Sequence, residues 1–112
     1  MQIQFNTDKN VTGSEGLITS STSLLSEELI RFSKQITRLE VHFSDEDGNK
    51  DGLNDKRCVV EARLAGMKPI AVTNYANTHE QAFFGAINKL KTSLEKVTGR
   101  LKDHYKGNNI YG

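Results

Sequence analysis

The stretch THEQAFFGAINKLKTSLEKVTGRL, residues 78–101, decides the fold because it carries the clearest helical pattern in the chain. Its apolar residues recur every three or four positions and so share one helix face: Phe83, Ile87, Leu90, Leu94, Val97 and Leu101. Thr78 and Gln81 fit a capping box, with Thr78 as the N-cap. We predict a long amphipathic helix whose apolar face covers a sheet, with Gly85 allowing a close approach.

Three shorter segments alternate apolar and polar residues, which is the period of a strand with one buried face. They are residues 1–6, 38–44 and 57–64, and the turn formers Gly66 and Pro69 predict a fourth strand at about residues 70–75. Between the first two, apolar residues at helical spacing predict a first helix over residues 14–36. The order β-α-β-β-β-α predicts an α+β fold, in which a four-stranded sheet carries two helices on one face. The other sheet face is predicted to be polar: Gln2, Gln4, Arg38, Glu40, His42, Arg57, Glu61 and Arg63.

At 112 residues the chain can bury one modest core. We assign it to a single domain of residues 1–105, followed by a flexible C-terminal tail of residues 106–112. Its 36% hydrophobic and 26% charged residues are typical of a globular protein. No apolar run approaches the roughly 18 residues of a membrane span, so no membrane partner is expected. The lone Cys58 fits a reducing cytoplasm, and its position on an apolar strand face predicts a buried thiol.

The net charge of +1 conceals two halves of opposite sign. Residues 1–55 carry five Lys or Arg against ten Asp or Glu, whereas residues 56–112 carry ten against four. Such asymmetry points to nucleic acid or another acidic partner for the basic half. On charge alone, a merely solvated basic helix explains it equally well.

The stretch DGNKDGLNDKRC, residues 47–58, resembles part of a calcium-binding loop, with Asp47, Asn49 and Asp51 at the first ligand positions. An EF-hand also needs a helix on each side and a glutamate at its twelfth position, where this chain has Cys58. The flanks alternate like strands instead. We therefore predict an acidic hairpin connection and no metal site.

No catalytic constellation is evident in the sequence. His42, His79 and His104 are widely separated, and no glycine-rich phosphate loop follows a strand. The acidic residues from Asp45 to Asp55 lack the apolar wall that general-acid chemistry requires. We expect no enzyme activity, no cofactor and no small-molecule substrate.

Cations line both flanks of the apolar stripe in the last helix. They form two rows: Lys89, Lys96 and Arg100 on one flank, Lys91 and Lys102 on the other. Held about 10 to 16 Å apart along a rigid helix, such cations suit phosphates, because each contact releases counterions. Arg31 and Lys34, near the end of the first predicted helix, are expected to extend this surface.

The element order, the opening strand MQIQFN and the closing stretch AFFGAINKLKTSLEKVTGRLK resemble the ribosome hibernation-promoting factor and ribosome-associated translation inhibitor family. The resemblance covers residues 1–102 and, because the chain stops at Gly112, indicates the short form. Members of that family bind the small ribosomal subunit in the channel used by mRNA and tRNA, and they silence idle ribosomes under stress. Lys89, Lys96, Arg100 and Lys102 match the family's basic pattern, whereas Thr98 stands where many members carry lysine.

The resemblance implies a non-enzymatic, cytoplasmic factor that docks on the 16S-type rRNA of the small ribosomal subunit, inhibits translation and is monomeric when free. The complete predicted rRNA-binding set is Lys89, Lys91, Lys96, Arg100, Lys102, Arg31 and Lys34. The alternative is a protein-interaction or self-associating domain that kept the fold and lost rRNA binding.

Overall fold

Seven elements follow one another in the order that the sequence predicts, with one short addition. They are β1 (Gln2–Thr7), α1 (Ser14–Glu28), the 3-10 helix η1 (Ile30–Phe32), β2 (Ile36–Asp45), β3 (Lys56–Leu64), β4 (Ile70–Ala76) and α2 (His79–Ile110). The structure, a computed structural model, describes residues 1–8, 11, 14–45 and 54–110, with the backbone alone from residue 100 onward. The predicted β-α-β-β-β-α order and α+β class are confirmed.

The four strands form one sheet in the order β1-β2-β3-β4. β1 runs parallel to β2, and the connection between them contains α1, as a parallel crossover requires. β2, β3 and β4 pair antiparallel with their neighbours in the chain and so form a meander. β1 and β4 are therefore the sheet edges, and the last helix follows directly from the β4 edge.

One sheet face is apolar and lies under both helices. Alternate strand residues and the helix stripe form a single core, including Leu39, Val41, Phe43, Cys58, Val60, Ala62, Phe83, Ile87, Leu90 and Leu94. Val97 packs against this core while partly exposed, and the side chain of Leu101 lies outside the described residues. The stripe predicted from three-to-four spacing is thus the sheet-facing side of α2.

The prediction of one continuous helix over residues 14–36 holds through Glu28 and is wrong beyond it. The backbone of Leu29, with φ −110° and ψ 10°, leaves the α-helical range. Hydrogen bonds then join residues three apart, from Phe32 N to Leu29 O and from Gln35 N to Phe32 O, each at 3.0 Å. Leu29, Phe32 and Ile36 are still buried. Their spacing arises from tight turns that lead into β2, not from further turns of α1.

The second sheet face is polar, as predicted, and ion pairs form along its strands. Arg38 pairs with Glu40 at 2.9 Å, and Arg63 pairs with Glu61 at 3.2 Å. Within the described part of the chain, no helix is long and apolar enough to cross a membrane. The α2 backbone continues to Ile110, into the predicted tail, while the division of the chain at residue 105 stays a prediction.

Candidate nucleic-acid interface

α2 is held in place by a cap at its start and a close approach soon afterwards. The backbone N–H of Gln81 donates to Thr78 Oγ1 at 3.1 Å, which confirms Thr78 as the N-cap. At Gly85 an added Cβ would lie 2.1 Å from Asn74 Nδ2, and that amide donates to the backbone oxygen of Ala82 at 3.2 Å. Gly85 therefore lets α2 approach β4, as predicted.

The side of α2 next to β4 carries Lys89 and Lys96, which we call the β4 flank. Lys89 Nζ donates to the backbone oxygen of Thr73 in β4 at 2.8 Å. Lys96 is exposed and lies two turns further along, on the same side by helical spacing. Arg100 continues this row in the sequence, but its side chain lies outside the described residues.

The opposite side of α2 faces α1 and η1. We call the cations at this junction the α1 flank: Lys91 of α2, Arg31 of η1 and Lys34, which follows η1. Lys91 Nζ lies 2.7 Å from Glu28 Oε2 at the end of α1. Arg31 forms an ion pair with Glu95 of α2. Its guanidinium carbon also lies 4.7 Å from the ring centre of Phe32, in cation–π geometry.

The predicted rRNA-binding set is thus divided between two sides of α2. The structure brings Arg31 and Lys91 together on the α1 flank, where Lys34 is exposed near the end of η1. Lys89 and Lys96 lie on the β4 flank instead. Lys102 would continue the α1 flank by its spacing, and its side chain lies outside the described residues.

Sequence reasoning missed the two acidic partners of the α1 flank. Glu95 follows Lys91 by four residues, a spacing that commonly pairs charges along a helix. In the structure Glu95 instead turns to Arg31, in a different element. No local pattern joins Lys91 to Glu28, which stands 63 residues away in the chain. These pairings depend on how η1 and α1 pack beside α2.

Two grooves lie in the helix layer. An apolar groove of about 500 Å³ lies between α1 and the first turns of α2, where Leu24, Phe83 and Phe84 line it. Phe84 is 51% exposed there. A smaller, more polar groove of about 280 Å³ is lined by residues of η1 and α2, Arg31 among them, and by Gln35, which lies between η1 and β2. The second groove adjoins the α1 flank through Arg31.

The base of the β2–β3 hairpin is an ion-pair cluster rather than an open acidic site. Lys56 Nζ lies 2.8 Å from Asp45 Oδ2 and 3.1 Å from the buried Asp55. The hydrogen bond to Asp45 raises the pKa of Lys56, against desolvation, which lowers it. Asp47, Asn49 and Asp51 of the calcium-like stretch lie outside the described residues. Among those described, no group of three His, Cys, Asp or Glu could hold a metal ion.

The cysteine and the histidines are the remaining reactive side chains, and those that the structure describes make structural contacts. Burial raises the pKa of the Cys58 thiol to about 12, which confirms the predicted buried thiol and disfavours a nucleophile. His42 Nε2 lies 3.1 Å from Asp8 Oδ1 on the open sheet face. The ring of His79 meets Phe43 edge-on, with 5.9 Å between ring centres. The side chain of His104 lies outside the described residues.

The solved structures that share this fold include the following two proteins. A ribosomal subunit interface protein from Coxiella burnetii is 20% identical, with a TM-score of 0.68 over 88% of this chain and 99% of that chain. The N-terminal domain of Thermus thermophilus Protein Y is 16% identical, with a TM-score of 0.67 over 87% and 99%. No protein-family model matches the sequence, and no curated protein matches it at a significant level. The resemblance to the hibernation-promoting factor family, to which both proteins belong, is confirmed at the level of the fold.

Proposed function

We propose that this protein is a non-enzymatic, cytoplasmic ribosome-binding factor that docks on the small subunit and inhibits translation. The observation that carries the proposal is the fold, which matches a ribosomal subunit interface protein over 88% of this chain and 99% of that one. Both the sheet and the helix layer of that fold are present here, and the predicted rRNA-binding cations belong to the helix layer. The proposal needs no cofactor or small-molecule substrate, and the free protein would be a monomer.

The charges of the helix layer support an RNA partner for that role. Arg31, Lys34 and Lys91 lie around the junction of α1, η1 and α2, and Lys89 and Lys96 lie on the other side of α2. Arg100 and Lys102 would extend the two rows. Basic residues at such separations bind phosphates through counterion release, which needs no sequence readout. The interface we propose is therefore the helix layer and not the polar sheet face.

Co-sedimentation with purified ribosomal subunits tests this proposal. The test variant is R31A/K34A/K91A on the α1 flank, and the matched control is R38A/R63A/K68A. The control removes the same charge from the open sheet face and the β3–β4 turn. We expect the parent to pellet with small subunits in preference to large ones and to inhibit cell-free translation. The test variant should lose both properties while the control keeps them.

Two results would contradict the proposal: a parent that stays in the supernatant with every subunit, or two triple variants that behave alike. A third variant, K89A/K96A/R100A, asks whether the β4 flank also contacts RNA. We expect it to bind more weakly than the parent. Circular dichroism of each variant separates lost binding from lost folding.

Self-association is the second candidate, and the apolar groove between α1 and α2 favours it. Phe84 exposes half of its surface beside that groove, where a second copy of the chain would cover it. Sedimentation velocity over a range of protein concentrations measures this directly. A concentration-dependent dimer that Phe84→Ser abolishes, in a protein that does not bind ribosomes, would establish the alternative.

A further inference from the structure

The α1 flank contains a small cluster in which positive and negative groups alternate. Lys91 and Glu95 are neighbours on successive turns of α2, and they pair with Glu28 of α1 and Arg31 of η1 respectively. Two cations and two carboxylates thus occupy one surface, so the cluster has no net charge. A phosphate approaching Lys91 or Arg31 meets a carboxylate already in place.

The two pairs differ in exposure, and this difference sets how readily each one opens. The side chains of Arg31 and Glu95 are 58% and 53% exposed, whereas those of Lys91 and Glu28 are 27% and 30% exposed. Exposed ion pairs contribute little and exchange easily with solvent ions. The Lys91–Glu28 pair is less screened by water and therefore holds its lysine more firmly. Glu28 should be the stronger of the two competitors.

Replacing a carboxylate with a single phosphate yields little free energy, because one anion takes the place of another. The exchange becomes favourable when several phosphates engage neighbouring cations together. Paired strands present about one charge per 1.7 Å of axis, twice the linear density of one strand. Folded RNA can therefore open both pairs at once more readily than an unpaired strand.

We propose that Glu28 and Glu95 are built-in competitors of phosphate, which make the α1 flank selective for folded RNA over single-stranded RNA. This inference rests on the proposed function, since it assumes that the α1 flank meets RNA. It adds a specificity role for two acidic residues that the sequence pattern did not single out. Specificity of this kind works by repelling the wrong ligand as well as attracting the right one.

The test variant is E28Q/E95Q, and its matched control is E40Q/E61Q on the open sheet face. Glu40 and Glu61 are each paired with an arginine, at 2.9 and 3.2 Å, and lie opposite each other in the β2–β3 register. Both variants therefore remove two carboxylates and open two ion pairs. They differ in which surface loses its carboxylates, and on the control surface Arg38 keeps its hydrogen bond to Gln4.

Fluorescence anisotropy with an RNA hairpin and an unpaired RNA of equal length measures the selectivity. We expect E28Q/E95Q to tighten binding of the unpaired RNA on the order of tenfold and binding of the hairpin by much less. The control should change both affinities by a similar, smaller factor. Among the single variants, E28Q should have the larger effect. Thermal unfolding confirms that each variant is folded.

The proposal is overturned if E28Q/E95Q changes both RNA affinities equally, or if the control changes the selectivity as much. Co-sedimentation of the parent with ribosomes reports separately on the proposed function. If the parent does not bind ribosomes but E28Q/E95Q loses its selectivity, the proposed function fails and the role of the glutamates stands. If the parent binds ribosomes and selectivity is unchanged, the role of the glutamates fails alone. If neither the parent nor any variant binds either RNA, the role of the glutamates fails, and co-sedimentation alone decides the proposed function.

Discussion

The two flanks of α2 carry the same kind of side chain and place it in different surroundings. On the β4 flank, Lys89 donates to the backbone oxygen of Thr73 on an edge strand. On the α1 flank, Lys91 faces the carboxylate of Glu28. The first lysine covers a polar backbone group at a sheet edge, as natural edge strands require. The second belongs to a neutral charge cluster. A position beside the apolar stripe thus does not by itself determine what a cation contacts.

The apolar core between the sheet and α2 gives the largest expected effect on stability. Cys58 lies in that core, and burial raises its thiol pKa from 9.0 to about 12. Below pH 9 the thiol is protonated in both the folded and the unfolded chain, so its contribution to stability is fully present. Between pH 9 and 12 the unfolded chain binds fewer protons at this group, and that contribution falls as pH rises.

Two measurements check this prediction. At pH 8 a thiol reagent should modify the native protein more than a hundredfold more slowly than the unfolded chain. The free energy of unfolding of the parent, minus that of Cys58→Val, should decline from pH 9 upward, because other titrating groups cancel in the difference. Rapid labelling of the native protein would show that the core opens easily.

The close approach on the β4 flank gives the next effect. Gly85→Ala should destabilise the protein by about 2 kcal/mol, because the new methyl group displaces the Asn74 amide from its hydrogen bond. Gly99→Ala is the matched control, since nothing lies within 4 Å of its added Cβ. We expect that control to be neutral or to stabilise by up to about 1 kcal/mol. Chemical denaturation measures both, and equal effects would refute a close approach at Gly85.

A double-mutant cycle compares the ion pairs of the α1 flank. Glu28 and Lys91 should couple by about 1 kcal/mol or less. The coupling of Arg31 and Glu95 should be only a few tenths of 1 kcal/mol, because their side chains are more exposed. Both couplings should shrink as salt is added. If the Arg31–Glu95 coupling proved the larger, exposure would not control these pairs and the ranking of Glu28 above Glu95 would be lost.

The smallest effect is expected at Lys89. Lys89→Met removes one hydrogen bond to a backbone oxygen and keeps most of the side-chain packing, so stability should fall by about 0.5 to 1 kcal/mol. The loss should depend less on salt than the Glu28–Lys91 coupling, because its partner is a neutral carbonyl. A strongly salt-dependent loss would mean that Lys89 has a charged partner and that the two flanks are alike.

The buried faces of the helices and strands were largely predictable from the sequence, because buried apolar residues recur with the period of the element. The buried face of α2 was predicted from the spacing of Phe83, Ile87, Leu90 and Leu94, and the strands were predicted from alternating residues. The same rule failed at Leu29, where tight turns reproduce helical spacing. Charge pairing across elements leaves no comparable pattern. Lys91 meets Glu28 only because α1 and α2 lie side by side. The two rows of cations were predicted from the sequence, but the partner of each row needed the three-dimensional structure.

The salt dependence of binding to the small ribosomal subunit tests the central claim most directly. For the parent, the logarithm of the association constant should fall steeply and linearly with the logarithm of salt concentration. In R31A/K34A/K91A the slope should be shallower by roughly 2 to 3, since each lost phosphate contact removes about 0.7 to 0.9. R38A/R63A/K68A should keep the parent slope. If R31A/K34A/K91A also keeps the parent slope, or if the parent does not bind the subunit at all, the α1 flank is not an RNA interface.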